Sequence, residues 1–160
     1  MTSWQLAMPA PCRFLSANHR HHWALEAQLV KEWREAAHWH AKRAKLPHLA
    51  ACHIEATLRF PDRRRRDAGN YAPTLKAVVD GLVDYGLLPD DRHELLTGPD
   101  LRIGEPIIRR GGGLRIDGEV VLLITEREAL PPAAGDVAGS LERRTAGEQQ
   151  LPEPASASTT

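Results

Sequence analysis

The chain has 160 residues, 42% of them hydrophobic, which suits one soluble domain with a single core. Its 21 Lys and Arg balance 21 Asp and Glu, so the net charge alone does not indicate a nucleic-acid partner. No apolar run approaches the roughly 20 residues of a membrane helix, and the first residues lack the pattern of a secretory signal. The two cysteines, Cys12 and Cys52, are too few for a disulfide framework. We therefore expect a cytoplasmic protein without a membrane partner.

The distribution of charge is more informative than its sum. Residues 31–66 contain about ten Lys and Arg against about four acids, and the balance reverses over residues 67–100. A basic segment can hold phosphates and an acidic one can hold cations, which is what a metal-dependent nuclease needs. Two solvated faces of opposite charge would produce the same pattern, and both interpretations stay open here.

The first half of the chain predicts a strand, a helix and a second strand. Residues 3–8 alternate in polarity, and Pro9 ends that pattern. Residues 24–45 predict a helix with an apolar stripe at three- and four-residue steps, made of Val30, Trp33, Ala37, Ala41 and Ala44. Residues 51–60 alternate strictly, which predicts one buried and one polar face. The buried face holds Cys52, Ile54, Ala56, Leu58 and Phe60.

The second half predicts another helix and two or more strands. Asn70 is a candidate cap for a helix that has Pro73 in its first turn and ends before Gly86. Residues 95–103, 114–116 and 120–125 are strand-like, and residues 127–160 have the composition of a disordered tail. The order β-α-β-α-β-β predicts an α+β domain over residues 1–126, with a small mixed sheet of about four strands and two helices packed on one face.

The residues that indicate chemistry lie between positions 61 and 91. Four consecutive arginines, Arg63 to Arg66, separate a strand end from a helix start, where guanidinium groups and backbone amides can hold phosphates. Asp67 follows them directly, and a carboxylate beside bound phosphate is well placed for Mg²⁺. A lysine such as Lys76 can stabilise the negative charge that develops in phosphodiester cleavage.

The order of these motifs resembles the RusA family of Holliday-junction resolvases. In that family a strand ends in a Pro-Asp-Arg-rich run, an Asp-x-Asp-Asn motif opens a helix with an early Lys, and Gly-x-x-x-Asp-Asp follows. The corresponding residues here are Asp67, Asn70, Lys76 and the stretch from Gly86 to Asp91. Residues 16–20 are similar to the family's Pro-Ser-x-Asn segment, and the resemblance covers roughly residues 4–126.

The resemblance implies a Mg²⁺-dependent endodeoxyribonuclease, with Mn²⁺ as a substitute, that cuts branched DNA such as four-way junctions in recombination and repair. Asp67, Asp90 and Asp91 would bind the metal, and Asp67, Asp91 and Lys76 would be catalytic. The residues expected to contact DNA are Asn18, Arg20, Arg63, Arg64, Arg65, Arg66 and Asn70.

The sequence departs from the family pattern at two places. Gly69 replaces the second aspartate of the opening motif, and Lys76 lies about three residues further along than in the family's shortest pattern. Asp80 and Asp100 are candidates for the missing oxygen ligand. Gly69 favours an alternative function, a branched-DNA-binding protein with weak or no catalysis. A small interaction protein without salt-dependent DNA affinity is a second alternative.

Each candidate residue also has a purely structural interpretation. Asp67 can favour a helix N-terminus through the helix dipole, Lys76 and Asp80 can form a surface pair, and Asp90 can be a turn residue. The cluster of His19, His21 and His22 has no Cys or His partner at zinc-finger spacing. We therefore expect these histidines to contact DNA or solvent rather than zinc.

The distance between the two acidic motifs predicts a homodimer. A helix over residues 70–85 is about 24 Å long, and residues 86–91 can retrace at most about 20 Å. Asp67 and Asp91 can then meet within one chain only if that stretch doubles straight back or the helix is shorter. A two-fold dimer with antiparallel helices would join Asp67 of one chain to Asp90 and Asp91 of the other. Its contact would use the apolar face of the helix, or the side with Ala77 and Gly81.

Overall fold

A computed structural model describes residues 1–20, 22–107 and 117–130 of the chain, within a compact unit that spans Met1–Leu130. The strand-like segment 114–116, His21 and all but the first four residues of the predicted tail 127–160 lie outside the described residues. None of the helices in the described ranges has both the length and the apolar character needed to cross a membrane.

The described chain contains four strands, two α-helices and one short 3₁₀ helix. The strands are β1 (Ser3–Pro9), β2 (Cys52–Arg59), β3 (Leu96–Ile103) and β4 (Glu119–Glu126), and the α-helices are α1 (Trp23–Ala44) and α2 (Ala72–Tyr85). The 3₁₀ helix (Ala68–Tyr71) directly precedes α2. The predicted β-α-β-α-β-β order and the α+β class are confirmed.

The four strands form one mixed sheet in the order β1-β4-β2-β3. β4 pairs antiparallel with both β1 and β2, whereas β2 and β3 are parallel and are connected through α2. The β2–β3 register shifts between His53 and Glu55, opposite Gly98. Gly98 has a φ of +89°, and a Cβ there would lie 2.4 Å from the carbonyl oxygen of Ile54, so only glycine fits this bulge.

The core lies between one face of the sheet and the two helices. The alternation predicted for β2 is observed, since Cys52, Ile54, Ala56 and Leu58 are buried and the intervening residues are partly exposed. In α1 the buried stripe is Leu29, Trp33, Ala37 and Ala41. The prediction for Ala44 was wrong, because the last turn of α1 extends beyond the core and Ala44 is exposed.

The two helices approach each other closely at Gly81 of α2. A Cβ at this position would lie 2.2 Å from the backbone oxygen of Arg34 and 2.9 Å from the Cβ of Ala37, both in α1. Ala77 is also buried, at 2% exposure. The suggested dimer contact through Ala77 and Gly81 was therefore wrong, because α1 of the same chain already covers this side. The apolar face of α2 is likewise buried in the core.

We predict that Gly81→Ala lowers the free energy of unfolding by about 1–3 kcal/mol, because the added methyl group meets rigid backbone of α1. Urea denaturation measures the effect. Gly69→Ala is the matched control, since a Cβ at Gly69 would meet only the Asp67 carboxylate at 3.6 Å, and its effect should stay within about 0.5 kcal/mol. Equal stability of the two variants would contradict the close approach.

Candidate active site

The stretch after α2 doubles back along the helix. Leu87 and Leu88 are buried at 0% and 3% exposure and anchor the stretch to the core. The backbone oxygen of Leu87 accepts a hydrogen bond of 2.8 Å from the amide of Leu49. These apolar anchors turn the chain so that Asp91 lies beside Lys76, in the second turn of α2.

Lys76 lies between two carboxylates. Its ammonium donates a hydrogen bond of 2.8 Å to Asp80 Oδ1, and it also donates to Asp91 Oδ2. The hydrogen bonds that Lys76 donates to Asp80 and Asp91 raise the pKa of Lys76, and the bond that Asp91 accepts lowers the pKa of Asp91. All three side chains are partly exposed, so the cluster can exchange the ammonium for another cation or a ligand.

A cavity of about 330 Å³ opens beside this cluster. Its charged lining residues are Lys76 and Asp91, and the rest of the lining is apolar or glycine and includes Gly69 of the 3₁₀ helix and Pro99 of β3. We call it the acidic cavity after Asp91. Asp67 Oδ1 lies 3.6 Å from the position of a Cβ on Gly69, which is one of the lining residues. The observed α2 is shorter than predicted and the stretch after it folds back to Lys76, so chain reach no longer requires a site shared between two chains. The shared site itself stays a prediction.

Asp67 has a structural role in addition to any chemical one. Its carboxylate accepts a hydrogen bond of 3.0 Å from the amide of Gly69 and caps the 3₁₀ helix. The residue before α2 is Tyr71, which makes no side-chain cap bond. The prediction that Asn70 caps α2 was wrong, because the 3₁₀ helix occupies the position where a cap would stand. Asn70 lies inside that short helix.

The remaining acids differ in their relation to the cluster. Asp90 accepts a hydrogen bond of 2.8 Å from the amide of Asp91 and pairs with Arg92 at 3.0 Å, so it shapes the turn that presents Asp91. Asp100 bonds His53 across β2 and β3, at 2.8 Å. Of the two candidates for the missing oxygen ligand, Asp80 lies in the cluster, whereas Asp100 is held on the sheet.

The four arginines before Asp67 are not equivalent. Arg63, Arg64 and Arg65 are exposed, and the side chain of Arg64 reaches 84% exposure. Arg66 is only 15% exposed, makes two hydrogen bonds to Asp62 at 2.7 and 3.1 Å, and has its guanidinium 4.0 Å from the ring centre of Phe60. The bond from Arg66 and the amide of Arg64 lower the pKa of Asp62 to about 2. Arg66 therefore stabilises the loop, and the other three arginines project into solvent.

The N-terminal loop packs beside the 3₁₀ helix. The amide of Ala17 donates to the backbone oxygen of Asn70 at 2.8 Å, and the buried hydroxyl of Thr74 donates to the backbone oxygen of Leu15 at 2.8 Å. These two bonds join the loop that carries the exposed residues Asn18 and Arg20 to the segment that contains Asn70. The three predicted DNA contacts therefore belong to two segments that touch each other.

An aromatic cluster borders the same loop, and the sequence analysis did not find it as a site. Phe14, Phe60 and Tyr71 have ring centres 4.7 to 5.9 Å apart. The alternation of β2 identified Phe60 as a core residue only. The sequence signal for this cluster was that Tyr71 directly follows Asn70. No local pattern indicates that Phe14 contacts the 3₁₀ helix.

The acidic cluster has the donor chemistry that suits Mg²⁺. This ion binds oxygen ligands, usually through one or two carboxylates, and shares substrate phosphates and water. Asp80 and Asp91 provide two carboxylates that already converge on one cation, the Lys76 ammonium. Within the described ranges, no group of three or more His, Cys, Asp or Glu side chains is arranged to hold a metal ion. The residues therefore fit a two-carboxylate site rather than a complete protein cage.

Comparison of the sequence with family models and with curated proteins finds no match in either set. The functional assignment consequently depends on the geometry of the residues. The structure brings Lys76 into contact with both Asp80 and Asp91. Asp67 lies next to Gly69, which lines the cavity, and Asp100 lies outside this contact.

We predict that Lys76→Met increases the affinity for Mn²⁺ by about tenfold, because it removes a positive charge that occupies the position between Asp80 and Asp91. Electron paramagnetic resonance of free Mn²⁺ measures the affinity without any substrate. Lys31→Met is the matched control, since Lys31 pairs with Glu35 alone, at 3.7 Å, and its removal should leave the affinity unchanged. An unchanged affinity in Lys76→Met would show that Asp80 and Asp91 are not metal ligands.

Proposed function

We propose that this protein is a Mg²⁺-dependent, structure-specific endodeoxyribonuclease of the RusA type that cuts four-way junctions or related branched DNA in recombination and repair. The observation that supports the proposal is the contact of Asp91 with Lys76, at a cavity that is also lined by Gly69, whose amide Asp67 binds. Exposed arginines precede Asp67 in the same loop. We further propose that it acts in the cytoplasm.

The chemistry follows from the placement of these groups. Asp80 and Asp91 would hold Mg²⁺, with Asp67 and Asp90 as further proposed ligands. Mn²⁺ would substitute for Mg²⁺. When bound, the ion polarises the scissile phosphate and lowers the pKa of water. Lys76, once released from its two carboxylates, can donate to a phosphate oxygen as negative charge develops there. Asn18, Arg20, Asn70 and the exposed arginines would contact neighbouring phosphates.

A homodimer is part of this proposal, although one chain already brings its own motifs together. A four-way junction has two-fold symmetry and needs two matched cuts, which a two-fold dimer would supply. In such a dimer each chain would contribute a complete acidic cavity.

The second candidate function is a branched-DNA-binding protein with weak or no catalysis. Gly69 favours it, because a carboxylate at this position would stand beside Asp67 and complete the acidic motif. Mg²⁺-dependent nicking of a synthetic four-way junction, compared with the same reaction in EDTA, separates the two functions. Tight junction binding without nicking would select the second candidate. Absence of salt-dependent DNA affinity would overturn both and leave a small interaction protein.

We predict that Asp67→Asn and Asp91→Asn each reduce junction nicking by about a hundredfold or more, because each removes a carboxylate from the proposed metal site. Binding of the junction should be intact or stronger, since repulsion between carboxylate and phosphate is also removed. Asp84→Asn is the matched control, because Asp84 also lies in α2 and is ion-paired, but with Arg34. Nicking at the wild-type rate in Asp67→Asn or Asp91→Asn would refute the assignment of that residue to the metal site.

We predict that replacing Arg63 and Arg64 with Gln lowers the slope of log affinity against log salt by about two, because each exposed arginine would neutralise about one phosphate. Binding is measured without divalent metal over a range of salt concentrations. Arg102→Gln is the matched control, since Arg102 is exposed on β3 and pairs with Glu55 at 3.0 Å. A slope equal to that of the wild type would show that the arginine run does not contact phosphate.

A further inference from the structure

A second cavity, which we call the aromatic cavity, is lined by Tyr71 at the end of the 3₁₀ helix. It has a volume of about 410 Å³, within the range of roughly 300–1,000 Å³ typical of small-molecule sites. Its walls include Phe14, Phe60 and Tyr71, and its rim carries Arg13 and Arg66. Gly69 and Tyr71 belong to the same four-residue helix, so the acidic and the aromatic cavities are neighbours along one short element.

The aromatic cavity is rigid. Phe14 and Phe60 are buried, and Phe14 also packs on Trp33 of the core, with ring centres 5.1 Å apart. Arg66 is held over Phe60 by the two hydrogen bonds that it donates to Asp62, and these bonds raise the pKa of the Arg66 guanidinium. A preformed wall of this kind loses little conformational entropy when a flat ligand binds.

We propose that this cavity binds a nucleobase that leaves its pair at the branch point of the DNA. The inference rests on the proposed function. Bases stack on aromatic rings and guanidinium groups whatever the identity of the base. Tyr71 and Arg13 offer the more exposed ring and guanidinium of this lining, whereas the buried Phe14 and Phe60 form its floor. Asp117 also lines the cavity, and its carboxylate would repel a phosphate but can accept hydrogen bonds from a base.

This site gives a physical reason for selecting branched DNA. A base inside a duplex must be unstacked on both sides and unpaired before it can enter, whereas a base that borders an open branch point has a stacked neighbour on one side only, so its extrusion costs less free energy. The exposed arginines bind any DNA backbone, so they contribute affinity without distinguishing a junction from a duplex. The aromatic cavity would supply the distinction.

The test measures the ratio of junction affinity to duplex affinity, in EDTA so that nothing is cut. Tyr71→Leu keeps an apolar side chain against Phe14 and Phe60 but removes the ring and the hydroxyl, and Arg13→Gln changes an exposed side chain on the rim. We expect each variant to lower the ratio, by about tenfold for Tyr71→Leu, with duplex affinity nearly unchanged. The controls are Trp39→Leu, an exposed aromatic outside the cavity, and Arg102→Gln, and both should keep the ratio.

A fluorescent base analogue, 2-aminopurine, reports on the wild-type protein directly. Placed at the branch point it should change its emission when the protein binds, and placed in the middle of an arm it should not. Suppose that the wild type nicks the junction with Mg²⁺, while Tyr71→Leu and Arg13→Gln both keep the full ratio of junction to duplex affinity. That result would overturn the base site and leave the proposed function intact. If Tyr71→Leu does not fold, Arg13→Gln and the 2-aminopurine signal still decide. A wild type that does not prefer the junction to the duplex would overturn both inferences.

Discussion

The Lys76 ammonium joins the beginning of α2 to the chain that follows its end. Its bonds to Asp80 and Asp91 hold the returning stretch beside the helix. The buried Leu87 and Leu88 bring the stretch within reach, since the burial of two leucines contributes more free energy than an ion pair exposed to solvent. Packing therefore sets the path of the chain, and the charges determine which side chains meet at its end. The cavity shared by Gly69, Lys76 and Asp91 exists because both contributions agree.

The elements of the fold were predictable from the sequence where the periodicity was strong. β2 alternates without interruption, and the apolar residues of α2 repeat at helical spacing, so both were identified within a few residues of their observed bounds. The prediction was less accurate where tertiary packing overrides local pattern. Leu29 is buried in α1 although the stripe was assigned to Val30, and Tyr71 rather than Asn70 precedes α2. The parallel pairing of β2 and β3 depends on contacts that no local pattern specifies.

The candidate site was predictable in its composition but not in its assembly. The motifs named Asp67, Lys76 and Asp91, yet the estimate of chain reach suggested that the two acids belong to different chains. The sequence did contain the missing information, because two adjacent leucines after Gly86 can anchor a tight return to the core. The contact between Lys76 and Asp91 also shows that the three additional residues before Lys76 do not prevent it from reaching the second motif.

Gly69 connects the two halves of the proposed site. Its missing side chain leaves open space beside Asp67, and its amide is the group that Asp67 binds. A second carboxylate here would stand close to Asp67 and repel it, and a bound cation would be needed to offset that repulsion. With glycine, the Asp67 carboxylate caps the 3₁₀ helix, and Tyr71 at the end of that helix lines the aromatic cavity. This capped helix joins the two cavities in one element, so both would be preformed for the proposed branched substrate.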